Sequence, residues 1–446
     1  MTPSQTLLHA LELQRAGKLS DALIEYERAQ REDAADPTVW FPYGVAALDA
    51  RDYPKAIALL AAYARAVPDR GAGHFELARA HFLTGDYVAA RAGYERTLEL
   101  KPDYAPALVA LGAIAYAEGR AEEGFAYHDA VLATTSEKTV SRFVRSIIRL
   151  LRGDYRRGWP EHEARWEMPQ FMNPEWAHPP YHRWTGQRTE GKPIVLHPEG
   201  GLGDTLMLSR FVPRIARDYG PVILAVQSPL LRLLTTSLGE HATVVSSDAL
   251  EPDGYHAGFF SIPSILGLEL DDCAIDAPYL RASRRPPVAR TREGPLQVGL
   301  VWAGNPAVAH DMDRSVPSLD VLAPLLQVPG IEWTSLHVGP RAREAVGTPL
   351  RQWPLRDMAD TAVMIESLDL VISVDTSVAH LAAGMGTPTW IMVPTVPEFR
   401  WLLDRGDSPW YPSVTVWRRE RTAAWAPMVA DMARDLAALV ARRAGV

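Results

Sequence analysis

The chain has 446 residues, of which 47% are hydrophobic and 22% charged, so it can bury full hydrophobic cores and does not have the composition of a disordered protein. At roughly 100–200 residues per domain, this length predicts about three domains. The formal charge of −8 argues against a general nucleic-acid-binding protein, because phosphate backbones require clustered Lys and Arg.

Cysteine usage and hydropathy predict the compartment. Cys273 is the single cysteine, so no internal disulfide can form, which is typical of a reducing environment. The N-terminal segment lacks the cationic start and apolar stretch of a signal peptide. No run reaches the ~18 apolar residues of a membrane helix. We therefore expect a soluble, cytoplasmic protein that neither inserts into a membrane nor binds nucleic acid.

The first third of the chain repeats with a period of 34 residues. Three columns align: Gly17, Arg51, Gly85, Gly119 and Gly153 at a turn; Ala22, Ala56, Ala90, Gly124 and Gly158 at a helix crossing; and Tyr26, Leu60, Tyr94, His128 and His162 as core residues. Pro37, Pro68 and Pro102 fall near unit ends, where a helix must stop. The pattern resembles tetratricopeptide repeats over residues 4–168, with a degenerate fifth unit as a cap.

A stacked array of such repeats has a concave face suited to a protein or peptide partner. The alternative is that this face only supports the next domain.

The sequence pattern of the remaining chain predicts two α/β halves. Segment 168–189 is a connector rich in Pro, Trp and His, segment 281–295 is a charged, Pro-rich linker, and the amphipathic segment 424–443 predicts a helix. Short apolar runs predict strands at Ile194–His197, Val222–Val226, 243–245, 256–260, 297–302, 331–337, Leu370–Val374, Thr389–Val393 and 414–417. Two such halves would enclose a cleft, the usual place for a ligand.

Segment 369–394 is the most informative part of the second half. A buried strand ends at Asp375, and apolar residues at helical spacing follow. Thr376, Ser377 and His380 therefore fall at a helix N-terminus, on the sheet edge where ligands bind and where amide groups favour phosphate. The pattern indicates a nucleotide-diphosphate site. The alternative is a plain strand–helix unit with Asp375 as the N-cap.

Two other turns carry polar residues after a strand. In the first half, glycines up to Gly203 let the backbone approach a ligand, and Asp204 is either a helix N-cap or a catalytic residue. In the second half, a strand ends before Asn305, and Arg314 with Ser315 follows. A cation and a hydroxyl there suit phosphate or leaving-group charge, and a surface salt bridge is the alternative.

No metal site is expected. The chain has no His/Cys cluster for zinc. The sequence Asp311-Met312-Asp313 superficially matches a metal-binding pair of aspartates, but no convincing strand leads into it.

Residues 182–420 resemble the heptosyltransferase-type glycosyltransferases (family nine), in the subgroup with an N-terminal tetratricopeptide array. The resemblance is carried, in the expected order, by segments 183–186, 201–206, 298–305, 313–315, 375–380 and 404–412. It implies an α-helical tetratricopeptide solenoid (4–168) followed by an α/β GT-B fold, in which two Rossmann-like domains, an acceptor half (169–285) and a nucleotide-sugar half (286–446), face a cleft. It also implies metal-independent inversion at the anomeric carbon, with a nucleotide-diphosphate sugar as donor and no further cofactor.

Site roles follow from the same resemblance. Asp204, next to Gly203, matches the general base that takes the acceptor proton. The family's nucleotide-sugar motif matches at Asp375, Thr376, Ser377 and His380, with Ser377 in place of a glycine. Arg314 and Ser315 lie where relatives contact the donor phosphates, and Glu398-Phe399 stands where relatives often carry Asp-Trp. Asn305 ends one of the matching segments and is a further candidate residue for donor binding.

The leading hypothesis is an inverting glycosyltransferase whose acceptor is a protein recruited by the repeats. The first alternative is an interaction scaffold with a catalytically silent nucleotide-sugar-binding domain. The second is a glycosyltransferase of polysaccharide or lipopolysaccharide assembly, which differs only in its acceptor.

Overall fold

The chain forms two compact units, Met1–Val144 and Arg145–Val446. The computed structural model describes residues 4–118, 120–134, 139–168, 182–249, 254–274, 278–286, 294–306, 311–394, 397–403, 405–419 and 425–444. Most of the predicted connector (169–181), the middle of the linker (287–293) and Gly119 of the turn column lie outside these residues. The predicted domain boundaries at 168 and 285 remain predictions.

The first unit is a series of helices that pack in consecutive pairs. They are α1 (Gln5–Arg15), α2 (Leu19–Glu32), α3 (Pro37–Asp49), α4 (Tyr53–Ala66), α5 (Gly71–Leu83), α6 (Tyr87–Leu100), α7 (Ala105–Ala117) and α8 (Ala121–Ala133). Helix α9 (Thr139–Leu151) spans the division between the units. Aspartates start several of these helices, for example Asp36, whose carboxylate accepts a hydrogen bond from the Thr38 amide at 2.8 Å.

The three repeat columns have the predicted physical roles. Gly17 and Gly85 have φ of 75° and 81° in the turns between paired helices, a conformation that favours glycine. Arg51 adopts φ of 62° at the equivalent turn without being glycine. Ala22, Ala56 and Ala90 are fully buried at the helix crossings, and Tyr26, Leu60 and Tyr94 are buried beside them. The period therefore predicts this unit correctly.

The second unit is an α/β region with two parallel sheets. Its helices are α10 (Tyr155–His162), α11 (Leu202–Leu208), α12 (Val212–Asp218), α13 (Leu231–Leu238), α14 (Ile262–Ile265), α15 (Asp311–Arg314), α16 (Ala323–Leu326), α17 (Met358–Ile365), α18 (Ser377–Gly384) and α19 (Ala426–Ala444). Its strands are β1 (His182–Arg183), β2 (Ile194–His197), β3 (Val222–Val226), β4 (Thr243–Ser246), β5 (Tyr255–Gly258), β6 (Leu296–Val301), β7 (Ile331–Ser335), β8 (Arg351–Gln352), β9 (Leu370–Val374), β10 (Thr389–Val393) and β11 (Val414–Arg418).

Each sheet has one reversal of strand order, which lies beside β2 in the first sheet and beside β6 in the second. The first sheet runs β1-β5-β2-β3-β4, and the second runs β11-β10-β9-β6-β7-β8. Counted within the second half, this is the order 3-2-1-4-5-6 of doubly wound nucleotide-binding sheets, and the reversal lies between β6 and β9. Ligands of such sheets bind beyond the carboxyl ends of the strands at the reversal.

One hydrophobic core joins the two sheets. It includes Leu196 and Leu206 of the first half together with Val378 and Leu381 of the second. The second half has a further core on its other face, which α19 covers through Met428, Met432 and Leu436. Among the described residues, no helix is both long and apolar enough to cross a membrane.

Candidate functional site

The candidate site lies at the carboxyl edge of the second sheet, where β6 and β9 are neighbours. Val301 of β6 is paired with Ser373 of β9, so the residues that follow the two strands emerge side by side. After β9 the chain turns through Asp375 and Thr376 into α18. The N-cap of α18 is Thr376 rather than Asp375, and the Asp375 carboxylate is free of the capping role that a plain strand–helix unit would give it.

The glycine-rich turn of the first half supplies Asp204. Gly201 is the N-cap of α11 and Asp204 is its third helical residue, so Asp204 is not the N-cap itself but still caps the helix start from the third position. The Asp204 Oδ2 atom accepts a hydrogen bond from the Gly201 amide at 2.8 Å. A Cβ at Gly200 would lie 2.4 Å from Oδ2, so glycine there leaves room for this carboxylate. Gly201 therefore donates a hydrogen bond to the Asp204 carboxylate, and Gly200 leaves the space that this carboxylate occupies.

Gly203 serves a different contact, between α11 and α18. A Cβ on Gly203 would lie 2.6 Å from Cδ2 of His380. The His380 ring therefore packs directly against the backbone of α11, which brings the first half's turn onto the second half's helix. His380 is 1% exposed, so in this structure it is a packing residue at the base of the site rather than a group on its surface.

Hydrogen bonding fixes the His380 ring on one side only. Its Nδ1 atom lies 2.8 Å from the Tyr411 hydroxyl. Its Nε2 atom has no hydrogen-bond partner and lies 3.8 Å from Oδ1 of Asp375. Burial, with the positive charges of Arg400 and Arg210, holds the pKa of His380 well below its ordinary value, so the ring is neutral.

Arg400 links the two halves electrostatically. It lies in the 3-10 turn Phe399–Trp401 beyond β10, and its Nη2 donates to Oδ1 of Asp204 at 2.6 Å. Its side chain is 11% exposed and that of Asp204 is 14% exposed. Burial disfavours the guanidinium charge, but Asp204 and Asp375 more than offset this and raise the Arg400 pKa.

Glu398 adds a third carboxyl group to this cluster. Its side chain reaches solvent, yet protein surrounds the carboxyl group closely enough that loss of hydration raises its pKa. Arg400 and Arg314 lower the pKa, and Asp375 and Asp204 raise it further. Together, Asp204, Asp375 and Glu398 place three acidic groups around Arg400.

The loop after β6 brings Arg314 and Ser315 to the same edge. The Arg314 Nε donates to Oδ1 of Asp311 at 3.0 Å, and the Ser315 hydroxyl donates to its Oδ2 at 2.9 Å. The Ser315 hydroxyl also accepts from the Gly304 amide at 2.8 Å, and a Cβ on Gly304 would lie 2.7 Å from the Arg314 guanidinium. Asn305 follows as an exposed residue. Asp311 thus pairs with Arg314, and the side chain of Asp313 is outside the described part.

A second layer holds the Tyr411 hydroxyl that contacts His380. Arg210 is 3% exposed, and its guanidinium lies 4.3 Å from the centre of the Tyr411 ring. It also donates to the carbonyl of Cys273 at 3.0 Å and to that of Met207 at 2.7 Å. Burial raises the pKa of Tyr411 well above its ordinary value, so the hydroxyl keeps its proton.

The corresponding edge of the first sheet is already filled by protein. Arg165 donates to Oε1 of Glu199 at 2.8 Å and to Oε2 at 3.0 Å. The Phe260 amide also donates to Glu199 Oε2, at 2.9 Å, and a Cβ on Gly258 would lie only 1.9 Å from that atom. The Glu199–Arg165 pair therefore occupies the reversal between β2 and β5.

The structure brings together most of the predicted site. Asp204, Asp375 and His380 surround Arg400, and Arg314 is close enough to influence Glu398. Sequence reasoning missed Arg400. It named Asp311 only in the rejected metal motif and Tyr411 only as part of the matching segment 404–412. The only sequence signal for Arg400 is its place among aromatic residues in a loop after a strand, which also describes many structural arginines. Among the described residues, no group of three or more His, Cys, Asp or Glu side chains could hold a metal ion.

Comparison with known proteins identifies the repeats. A family model described as tetratricopeptide repeat matches residues 7–71 and 44–105. Protein FlbA of Caulobacter vibrioides is 26% identical over 393 residues, which cover 79% of this chain and 65% of that protein. Superkiller complex protein 3 of Mus musculus is 32% identical over 98 residues, 22% of this chain and 6% of that protein.

The chain therefore spans less than two thirds of the length of both curated relatives. A thermophilic TPR protein of Thermus thermophilus with a solved structure is 18% identical, covers 38% of this chain and 92% of its own, and has a TM-score of 0.32. The family-model match over residues 7–71 and 44–105 identifies tetratricopeptide repeats in the N-terminal part of the chain.

We expect Gly203→Ala to destabilise the second unit, because its Cβ would clash with the buried His380 ring. Overpacking of this kind costs about 1–3 kcal/mol. Gly201→Ala is the matched control, since its Cβ would meet its nearest atom, Oδ2 of Asp204, at 3.6 Å. Urea unfolding followed by tryptophan fluorescence measures both. Equal midpoints for the two variants would contradict the packing assigned to His380.

We also expect the second unit to lose stability as the pH falls from 7 to 5. Burial lowers the pKa of several of its histidines: that of His162 and His197 to about 3, that of His337 to about 4, and those of His256 and His380 below their ordinary value. Unfolded histidines take up protons near pH 6.5 while the folded ones stay neutral, so each contributes a loss of up to about 1.4 kcal/mol per pH unit below that value.

Urea midpoints at pH 7.5, 6.0 and 5.0 measure this dependence. His337→Gln should reduce the slope, because one fewer ring then titrates in the unfolded chain. His9→Gln, at a ring that is 59% exposed, should leave it unchanged. A midpoint that stays constant or rises towards pH 5 would rule out the neutral, buried state of these rings.

Proposed function

We propose that this protein is an inverting glycosyltransferase that moves a sugar from a nucleotide-diphosphate donor to an acceptor hydroxyl without a metal ion. The observation that carries the proposal is the meeting of Asp204, from the first half, with Arg400 and Asp375 beside the reversal of the second sheet. A base from one half and a phosphate-binding edge from the other are the two parts that such a transfer needs. Two parallel sheets, each with a reversal of strand order beside an interior strand (β2 and β6), are compatible with a GT-B fold.

The donor is assigned to the edge formed by β6 and β9. Helix α18 begins there at Ser377, and the unpaired amides of a helix N-terminus favour phosphate. Arg314 supplies a cation on the neighbouring loop, and Ser315 holds that loop through the Gly304 amide. These groups would offset the charge that develops on the diphosphate as the bond between the anomeric carbon and the phosphate oxygen breaks.

The base is assigned to Asp204. Each of its carboxylate oxygens accepts one hydrogen bond, from Arg400 and from the Gly201 amide, so lone pairs remain for the acceptor proton. In the proposed step, the acceptor oxygen attacks the anomeric carbon from the face opposite the diphosphate and its proton passes to Asp204. The nucleoside diphosphate leaves with the bonding electrons, and the anomeric configuration inverts.

The repeats favour a protein or peptide as the acceptor or as a bound partner, since stacked repeats present a surface for such ligands. The same observation favours a second candidate, an interaction scaffold whose α/β unit binds nucleotide sugars without turning them over. A polysaccharide acceptor would use the same site with a different incoming hydroxyl. Binding and turnover experiments separate these functions.

We expect one class of nucleoside diphosphate, from a panel of the five common bases, to raise the melting temperature. A ligand that binds only the folded state stabilises it by about 2.7 kcal/mol at one hundred times its dissociation constant. Asp375→Ala should abolish the shift. Asp407→Ala, at a 67% exposed carboxylate paired with Arg405, should retain it. No shift with any member of the panel, or an unchanged shift in Asp375→Ala, would argue against the donor site.

We expect Asp204→Asn to keep the nucleotide-induced shift and to lose transfer, because asparagine preserves shape but cannot accept a proton. General-base catalysis contributes about 10²–10⁴-fold to a rate, so a loss of that size is expected. Release of nucleoside diphosphate from the matching nucleotide sugar measures it, and Asp218→Asn, on the exposed end of α12, is the control. Full activity in Asp204→Asn would remove the base assignment. Binding without release in the wild-type protein would favour the scaffold.

A further inference from the structure

Arg400 has more hydrogen-bonding capacity than its present contacts use. Its Nη2 donates to Asp204, while its buried Nε has no hydrogen-bond partner. An arginine can donate five hydrogen bonds, and a buried donor without an acceptor costs about 1–3 kcal/mol. The Arg400 guanidinium is thus mostly buried with one donor unused. Residues retained under such a cost are commonly found at functional sites.

The surroundings of Arg400 point to Asp204 as the group on which it acts. Asp375 and Glu398 attract Arg400 electrostatically, but only Asp204 receives a hydrogen bond from it among the contacts of the described residues. Arg400 comes from the loop after β10 and Asp204 from the turn after β2, 196 residues apart in the chain. This hydrogen bond therefore fixes the position of the Asp204 carboxylate, which belongs to the first half, relative to the carboxyl edge of the second sheet.

A carboxylate needs two anchors to hold its plane. The terminal torsion of an aspartate is broad, so one hydrogen bond leaves the group free to turn. Gly201 holds Oδ2 and Arg400 holds Oδ1, which together fix the plane and the direction of the remaining lone pairs. Loss of Arg400 would leave one anchor, and that anchor belongs to the same turn as Asp204 itself.

We propose that Arg400 is a positioning residue for the transfer reaction: it fixes the Asp204 carboxylate so that a free lone pair faces the acceptor hydroxyl. This inference rests on the proposed function. It assigns Arg400 to the acceptor side of the reaction, although Arg400 belongs to the half that holds the donor edge. A base misplaced by about 1 Å costs about 10²-fold in rate, so the effect is large without any contact between Arg400 and substrate.

The test compares Arg400→Met, which removes the charge and the fork of donors, with Arg400→Lys, which keeps the charge. Release of nucleoside diphosphate is measured with UDP-, GDP-, ADP-, CDP- and dTDP-hexoses, and kcat and the donor KM are determined for the sugar nucleotide that the wild type turns over. We expect Arg400→Met to lower kcat by about 10²-fold with the donor KM unchanged, and Arg400→Lys to recover part of kcat. Arg405→Met, in the same loop but paired with the exposed Asp407, is the matched control.

The outcomes separate the inference from the function on which it rests. An unchanged kcat in Arg400→Met overturns the positioning role, and so does a rise in donor KM that accounts for the whole loss, because Arg400 would then bind the donor. The nucleotide-induced melting shift of each variant shows whether it is folded. If Arg400→Met is unfolded, Arg400→Lys decides: a folded lysine variant with wild-type kcat overturns the role. No release by the wild type with any of the five sugar nucleotides means that the proposed function itself fails.

Discussion

The arrangement of the second unit depends on the close contact between α11 and α18, where the His380 ring lies against the backbone of Gly203. This contact requires glycine at one position and a flat, neutral ring at the other. It fixes the distance between the two helices and is continued by the core that joins the two sheets. Asp204 is the residue after Gly203, so the same contact delivers its carboxylate to Arg400. Two neighbouring residues of one turn therefore have separate roles: Gly203 allows the close helix contact, and Asp204 supplies the carboxylate of the site.

The layer behind this contact explains why the ring can stay neutral. The Tyr411 hydroxyl satisfies Nδ1 of His380, and the Arg210 guanidinium lies 4.3 Å from the centre of the Tyr411 ring. Both Arg210 and Arg400 are positive and close, so each opposes a proton on His380. Arg400, and not His380, therefore carries the positive charge that balances Asp204 and its acidic neighbours. An arginine suits this role because its pKa is so high that it stays charged when buried.

Local sequence patterns predicted the elements well, and the contacts between them poorly. The four strands Ile194–His197, Val222–Val226, Leu370–Val374 and Thr389–Val393 were predicted with the bounds that the structure has, since each is a short, mainly apolar run bounded by proline or polar residues. The two-residue strands β1 and β8 were missed, because neither carries an apolar pattern. The 34-residue period predicted the repeats because every unit must bury the same helix crossing.

The site was predictable only where its residues lie next to strand ends. Asp204, Arg314 and Asp375 could be selected in this way, because the carboxyl edge of a parallel sheet is where ligands bind. Arg400 could not, since its role arises from a partner 196 residues away. For His380 the sequence prediction was misleading in a different way. Its helical spacing suggested a side chain that faces a ligand, whereas the structure buries the ring against the backbone of Gly203. Helical spacing gives the face of a residue but not what covers that face.

The charge balance of the cluster sets a condition on any anionic donor. Asp204, Asp375 and Glu398 are offset by Arg400, while Arg314 is already paired with Asp311. A diphosphate that enters this edge adds negative charge, so it must draw on the guanidinium of Arg314 in competition with Asp311. It also acts on Glu398, whose pKa is already raised by loss of hydration. A further negative charge beside that carboxyl group would raise its pKa again, so binding of an anionic donor opposes the ionised form of Glu398.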